Sequence, residues 1–315
     1  MQTDSREVRI GLLSAVTAHL LWGVFPIFWR QLGDFDAMQV VCHRVLWSFV
    51  TLAIYLPFMW RGFDVDTRQK LKASVQTKKI WLIYAAAAGL IAVNWLTFIW
   101  AVNHDRVLEA SLGYYINPLL NVLIGVWVLG ERLTGSQWLA IGCATLGVTI
   151  MTVAGGGLPW VSLVLASSFA LYALIKKKAP LPALLGLLLE TATLLLPAVL
   201  YIGFVEFSGT SLSGDPGAFR SGDLRLLVLL ILGGTVTIAP LSLFAFAARR
   251  APLSAIGVLQ YIAPTMQFLL GVFLYSEPFD RWQLIGFIFV WIALGLYMIS
   301  TRRAAVTTAR ITASR

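Results

Sequence analysis

The chain has 315 residues, 58% of them hydrophobic and 12% charged, with a mean hydropathy of +0.80 and a formal charge of +9. Such a composition excludes a water-soluble globule, which would aggregate, and places the chain in a bilayer. The positive charge is no signal for nucleic acid, because it sits in particular connections between hydrophobic segments.

Stretches long enough to cross roughly 30 Å of hydrocarbon at about 1.5 Å per residue number ten, at about 9–31, 37–60, 80–102, 107–129, 135–154, 159–176, 182–206, 224–248, 253–275 and 281–300. Lipid offers no partner for open backbone groups, and the segments lack the short alternation of barrel strands, so each is expected to be a helix. The expected fold class is an all-α membrane protein with ten transmembrane helices. The longest connections, about 61–79 and 207–223, leave no room for a soluble domain.

The first segment is too long for the apolar region of a signal peptide and is kept as a mature helix; it carries His19, Trp22 and Pro26. The second carries His43 and Arg44, and Arg44 shares a helical face with Ser48, Thr51 and Tyr55. The third holds Asn94 and Trp95 and ends in a short external loop at His104, Asp105 and Arg106. Trp22, Trp47 and Trp95 are deep enough to stack on a solute. Trp29, Trp60, Trp81, Trp100, Trp138, Trp160 and Trp282 fall near segment ends, where interfacial anchors belong. An imidazole titrates near neutral pH, which makes His19 and His43 candidates for proton coupling, against the alternative of hydrogen-bonded packing residues.

The fourth segment contains GYYINPLLN, residues 113–121, with two asparagines and a proline where a membrane helix wants hydrocarbon. Ser111, Tyr114, Asn117, Asn121 and Gly125 fall along one side of it. In the ninth segment Gly257, Gln260, Ala263, Gln267 and Gly271 do the same, beside Tyr261 and Pro264. An unpaired amide in lipid costs several kcal/mol, so both stripes must face protein or water. They are read as lining a cavity, against the alternative that the amides bond across a helix interface. Pro118 and Pro264 each remove a backbone donor and leave a carbonyl open. Glu109 is expected to cap its own helix, and Glu131 and Glu277 to cap locally or pair with Arg132 and Arg281. The seventh segment holds the other deep charge, Glu190, on one face with Thr193, Pro197 and Tyr201.

A gapless offset of 146 residues aligns the fourth segment with the ninth: Tyr115 falls on Tyr261, Ile116 on Ile262, Pro118 on Pro264, Glu131 on Glu277 and Gln137 on Gln283. The same shift sets Phe98 on Phe244, Tyr55 on Tyr201 and Arg44 on Glu190. Five helices per half is an odd number, so the second half must cross in the opposite sense. Two inverted five-helix repeats are therefore expected, 1–154 and 155–300, followed by a basic cytoplasmic tail, 301–315. Such architectures hold substrate near the midplane between the halves. Arg44 and Glu190 are expected to belong together there, as a static ion pair or as part of a substrate or proton site. Lysine and arginine cluster before the first segment, in 61–79, at Lys176–Lys178, at Arg249 and Arg250 and after Ser300, so both termini are expected to be cytoplasmic.

No nucleophile elbow, zinc-protease pattern, phosphate loop or cysteine–histidine metal spacing occurs, so the sequence supports no enzyme and implies no cofactor or metal. Cys42 and Cys143 read as small buried hydrophobes. A channel would want a ring of charge around an open pore, whereas one opposed charge pair in an inverted repeat fits alternating access. The expected substrate site comprises Trp22, Arg44, Asn94, Trp95, Tyr114, Asn117, Asn121, Glu190, Gln260, Tyr261 and Gln267, with Glu190, His19 and His43 as candidates for proton coupling. A lipid-intermediate flippase or a non-transporting membrane component is the alternative. The flippase would need a lateral cleft and a basic pocket, and Arg44 is the only deep cation.

HRVLWSF, NWLTFIWAVN, RVLEASLGYYINPLLNVLIGVWVLGERL and LQYIAPTMQFLLGVFLYSEPF resemble the RarD group of EamA-type carriers in the drug/metabolite transporter superfamily, over nearly the whole chain from Gly11 to about Ser300. The resemblance implies the ten-helix, two-repeat fold, a bacterial inner membrane and export of small metabolites, amino acids or drug-like compounds. Members are named for an association with chloramphenicol sensitivity, which supplies no substrate for this chain. Small multidrug members of the superfamily exchange protons on a glutamate in the first helix, where this chain has His19 and no acid; Glu190 is the substitute candidate.

Overall fold

The computed structural model describes residues 5–33, 35–129, 134–154, 158–248, 250 and 259–313, among which the regular structure is helical, with no strand. In chain order the helices are α1 (Ser5–Gly23), α2 (Phe25–Arg30), α3 (Ala37–Arg61), α4 (Val65–Val75), α5 (Lys78–Asn103), α6 (Val107–Leu129), α7 (Gly135–Ala154), α8 (Trp160–Lys178), α9 (Ala183–Ser208), α10 (Leu224–Ala248), α11 (Ile262–Leu269) and α12 (Arg281–Ala313). Six stretches are long and apolar enough to cross a membrane: Arg6–Arg30, Ala37–Phe58, Lys78–Asn103, Gly135–Val153, Leu184–Ser208 and Leu224–Phe244. Trp160–Lys176, Ile262–Leu274 and Arg281–Tyr297 are shorter apolar helices, and α6 is an apolar helix of 23 residues.

The first expected segment divides at Val24 into α1 and α2, because Pro26 has no N–H to continue the ladder and is favoured in a first helical turn. The 61–79 connection is not bare loop but contains α4. Its N-cap is Asp64, whose carboxylate accepts from the Thr67 backbone N–H at 2.8 Å and from the Thr67 hydroxyl at 2.7 Å. The ninth segment ends in a π-helical turn over Leu270–Leu274, a rare geometry that occurs mostly as single turns. Helix α12 continues to Ala313, so most of the expected tail is helical.

Helix α3 sits centrally, against α5, α9 and α10. Helix α5 also packs on α8 and α9, α1 on α10 and α11, α6 on α8 and α11, and α7 on α12. Lipid chains are as apolar as leucine, so such contacts depend on close approach rather than on hydrophobic sorting. Gly234 of α10 lies against the backbone of Trp47 and Ser48 in α3, leaving no room for a Cβ, and Gly147 of α7 meets the Gly286 carbonyl of α12 in the same way. The largest apolar cluster gathers Trp29, Leu32, Val40, Val45, Trp95 and Phe98 where α2, α3 and α5 converge.

Candidate functional site

Asp36 starts α3 by accepting the Gln39 N–H at 2.8 Å, and Arg44 follows two turns into the helix. Arg44 is only 4% exposed. Its Nε donates to the Thr237 hydroxyl of α10 at 2.9 Å, and that hydroxyl donates to the Gly233 carbonyl at 2.8 Å. The guanidinium lies 4.0 Å from the Trp95 ring and 4.8 Å from the Trp29 ring, a double cation–π contact. Tyr114 of α6 is near enough to interact with Arg44 electrostatically, and its hydroxyl points to the Asn94 Oδ1 at 3.5 Å. Asn94 is in turn fixed by donating to the Leu165 carbonyl and to the Ser168 hydroxyl, both at 3.0 Å. Among the described residues Arg44 has no carboxylate partner.

Glu190 forms a second polar centre. It is 1% exposed, accepts from the Lys176 Nζ at 2.6 Å and accepts from the Tyr172 hydroxyl at 3.0 Å. The same ammonium lies over the rings of Tyr84 and Tyr172. The expected pairing of Glu190 with Arg44 is therefore corrected. The Tyr201–Asp36 hydrogen bond and the shared cluster of Leu52 with Leu187 set α3 antiparallel to α9. That register brings Glu190 level with Ser48, about one helical turn from Arg44. Lys176 is long enough to reach back from the end of α8 and take the acid.

Between the start of α3, the end of α5, the start of α8 and the end of α9 opens a cleft of about 660 Å³, lined by Asp36, Thr97, Trp100, Asn103, Trp160 and Tyr201 among others. Beside it Arg30 pairs with Asp105 at 2.5 Å and lies 4.2 Å from the Tyr275 ring. Glu277 does not cap locally as expected: its carboxylate accepts from the Val107 and Leu108 N–H groups at 2.7 and 2.8 Å, capping α6 from a distant loop. Burial pushes the Glu277 carboxyl above the usual glutamate value, while these two N–H groups pull it down. Glu109 pairs with Arg106 at 2.9 Å at the head of the same helix.

The EamA-like transporter family matches residues 9–153. An uncharacterized transporter of Vibrio cholerae is 41% identical over 307 residues, covering 96% of this chain and 97% of that one. The RarD proteins of Streptomyces exfoliatus and Escherichia coli K12 are 42% and 39% identical, covering 95% and 94% of this chain and 91% and 96% of their own. The chain belongs to the RarD group of EamA-type transporters. A solved crystal structure, 19% identical, covers 93% of this chain and 98% of its own with a TM-score of 0.55, a likeness of fold.

In this RarD-group transporter the sequence-selected residues divide. Arg44, Trp95, Asn94 and Tyr114 come together. Gln267 is buried and donates to the Trp22 carbonyl at 3.1 Å, while the Trp22 ring packs on His19 and Phe244. His19 is buried with Nδ1 on the Ala15 carbonyl at 2.7 Å. His43 is buried with neither ring nitrogen partnered among the described residues, 5.5 Å from the Phe219 ring. Tyr261 stacks on Tyr115, Asn117 is buried, and Gln260 is exposed. The side chain of Asn121, and Glu131 and Gly257, lie outside the described residues. Ser111 donates to the Pro264 carbonyl at 2.8 Å, so part of the stripe does bond across the α6–α11 interface.

Three residues of these RarD-group centres escaped the sequence reading. Trp29 is no interfacial anchor but 1% exposed and against Arg44, because the break at Val24 turns α2 inward. Lys176 looked like loop charge. Thr237 carried only a weak signal, as one of three hydroxyl residues, with Thr235 and Ser242, in a largely apolar helix.

Proposed function

We propose that this RarD-type transporter is a secondary carrier that moves a small metabolite or drug-like solute across the bacterial inner membrane by alternating access. Ten crossings in two inverted repeats, with both termini cytoplasmic, are the frame of this reading. Packing supports it. Exchanging α1 for α8, α3 for α9, α5 for α10, α6 for α11 and α7 for α12 carries the α1–α10 contact onto α8–α5 and α6–α8 onto α11–α1, and returns α3–α9, α6–α11 and α7–α12 to themselves. A pseudo-two-fold axis between inverted halves produces that exchange.

The observation that carries the substrate site is Arg44, a cation buried between two tryptophans on a neutral hydroxyl, in the part of the bundle where α3, α5 and α10 meet. An intramembrane charge without an ionic partner marks a pathway or a ligand site. Glu190 with Lys176 and Tyr172 is the candidate for proton coupling. A flippase would want a basic lateral pocket; the lateral gap of about 220 Å³ between α6 and α7 is lined by Leu119, Leu123, Ile141 and Val148 with Thr145 and Thr149, and by no cation.

The test is counterflow in proteoliposomes across a panel of amino acids, nucleosides and aromatic drugs. Exchange that requires the protein, and that Arg44→Ala and Glu190→Gln abolish while both variants still insert and fold, supports the reading. Absence of exchange for every solute overturns the carrier, and exchange indifferent to both substitutions overturns the site assigned to Arg44 and Glu190.

A further inference from the structure

We propose that the solute held at Arg44 is an organic anion whose carboxylate is gripped by the two terminal nitrogens of that side chain; this rests on the carrier reading above. A guanidinium presents five N–H donors in a rigid fork. Arg44 uses one of them, on the neutral Thr237 hydroxyl. Neither Nη1 nor Nη2 has a hydrogen-bond partner among the described residues, and neither is among the fully enclosed unpartnered polar atoms.

The charge balance points the same way. Three described arginines outside the core, Arg30, Arg106 and Arg250, have a carboxylate, at Asp105, Glu109 and Glu7, while exposed ones such as Arg225, on the Gln31 amide oxygen, are met by water. Arg44, far more buried, has none, and Glu190 is committed to Lys176. Withdrawing a cation from water is costly unless an anion meets it, and a carboxylate fits the free edge of the fork with two parallel hydrogen bonds. Among the described residues the groups next to Arg44 are neutral or apolar, Thr237, Asn94 and Tyr114 with Trp95, Trp29 and Phe98, and the Glu190 carboxylate about one turn away is neutralised by Lys176. The same arrangement rejects a cation by direct repulsion. The walls suit an apolar or aromatic remainder on the carboxylate.

The experiment uses the purified full-length protein in detergent and three probes of one size: benzoate, benzyl alcohol and benzylammonium. Benzoate should raise the melting midpoint saturably, by about 3 °C or more, and the other two should not. Arg44→Met should abolish the shift while keeping its own cooperative melt. Arg44→Lys, which keeps the charge without the fork, should bind labelled benzoate at least about tenfold more weakly. Should Arg44→Met not fold, the lysine variant carries the comparison.

An equal shift with benzyl alcohol, a larger one with benzylammonium, no shift with benzoate, or a benzoate shift that survives Arg44→Met would overturn the proposal. Failure of the carrier reading looks different. Arg44-dependent benzoate binding without counterflow leaves the anion site and removes the carrier; counterflow of a neutral or cationic solute that Arg44→Met leaves unchanged does the reverse.

Discussion

Tyr115 of α6 and Tyr261 at the head of α11 lie nearly parallel, their ring planes 15° apart and centroids 6.4 Å apart. The Tyr115 hydroxyl is also 2.7 Å from the Thr265 hydroxyl. Tyr115 and Tyr261 coincide at the 146-residue offset, and their contact is what the proposed two-fold axis between α6 and α11 would require. A double-mutant cycle with Tyr115→Leu and Tyr261→Leu should give a coupling of about 0.5–1.5 kcal/mol in unfolding measurements. Additive effects would remove the contact from any account of the axis.

Arg44→Met should cost little stability. A buried pair broken on one side typically loses about 3–5 kcal/mol, but Arg44 leaves no carboxylate behind. Its loss forfeits two cation–π contacts, about 2 kcal/mol each, but also removes the cost of burying an unpaired cation, which offsets most of that. A drop as large as that of a broken ion pair, read from denaturant unfolding, would show that the cation has an ionic partner after all.

Lys176→Met should behave in the opposite way, because Glu190 would remain buried with only the Tyr172 hydroxyl. The expected loss is about 3–5 kcal/mol, and Lys176→Met combined with Glu190→Leu should recover most of it. No recovery in the double variant would mean that the ammonium stabilises the fold through Tyr84 and Tyr172 instead.

Glu277 predicts a pH dependence. Its carboxyl is raised by burial, so between the ordinary glutamate value and the raised one the folded protein binds more protons than the unfolded chain. The corresponding stability is complete below the unfolded value and is lost as pH rises through the folded one. Melting midpoints of wild type should therefore fall over that weakly acidic range relative to Glu277→Gln. Parallel curves for the two proteins would refute the shift.

Gly234→Val should be severe, since even a Cβ there meets the Trp47 and Ser48 backbone. The cost is about 1–3 kcal/mol or more for overpacking. Solute exchange should also fall, because Thr237 is one turn away. A variant with wild-type melting and transport would contradict the close contact.

The helical content and the bounds of most segments were legible because hydropathy and length alone determine them. Arg44, Trp95, Asn94 and Tyr114 were legible only as members of a wider expected site that also took in Glu190 and Gln260, because polar or charged residues in lipid need company. Their partners were not. Trp29 reads as an anchor until the Pro26 break is seen to redirect the chain, and Lys176 reads as loop charge because sequence position conceals the reach of its side chain. Glu277 shows a related limit: a carboxylate one connection ahead of a helix invites a local cap, but the turn after the π-helical segment folds it onto α6.

Because Gly234 brings α10 onto the α3 backbone, and Gly233 receives the hydroxyl that receives Arg44, the arginine and its threonine ride on one stiff two-helix strut. In the proposed carrier, rocking of the bundle would translate them as a unit. The proposed binding group would then keep its aim through the cycle, and the parts to give way would be the aromatic flanks on α2 and α5.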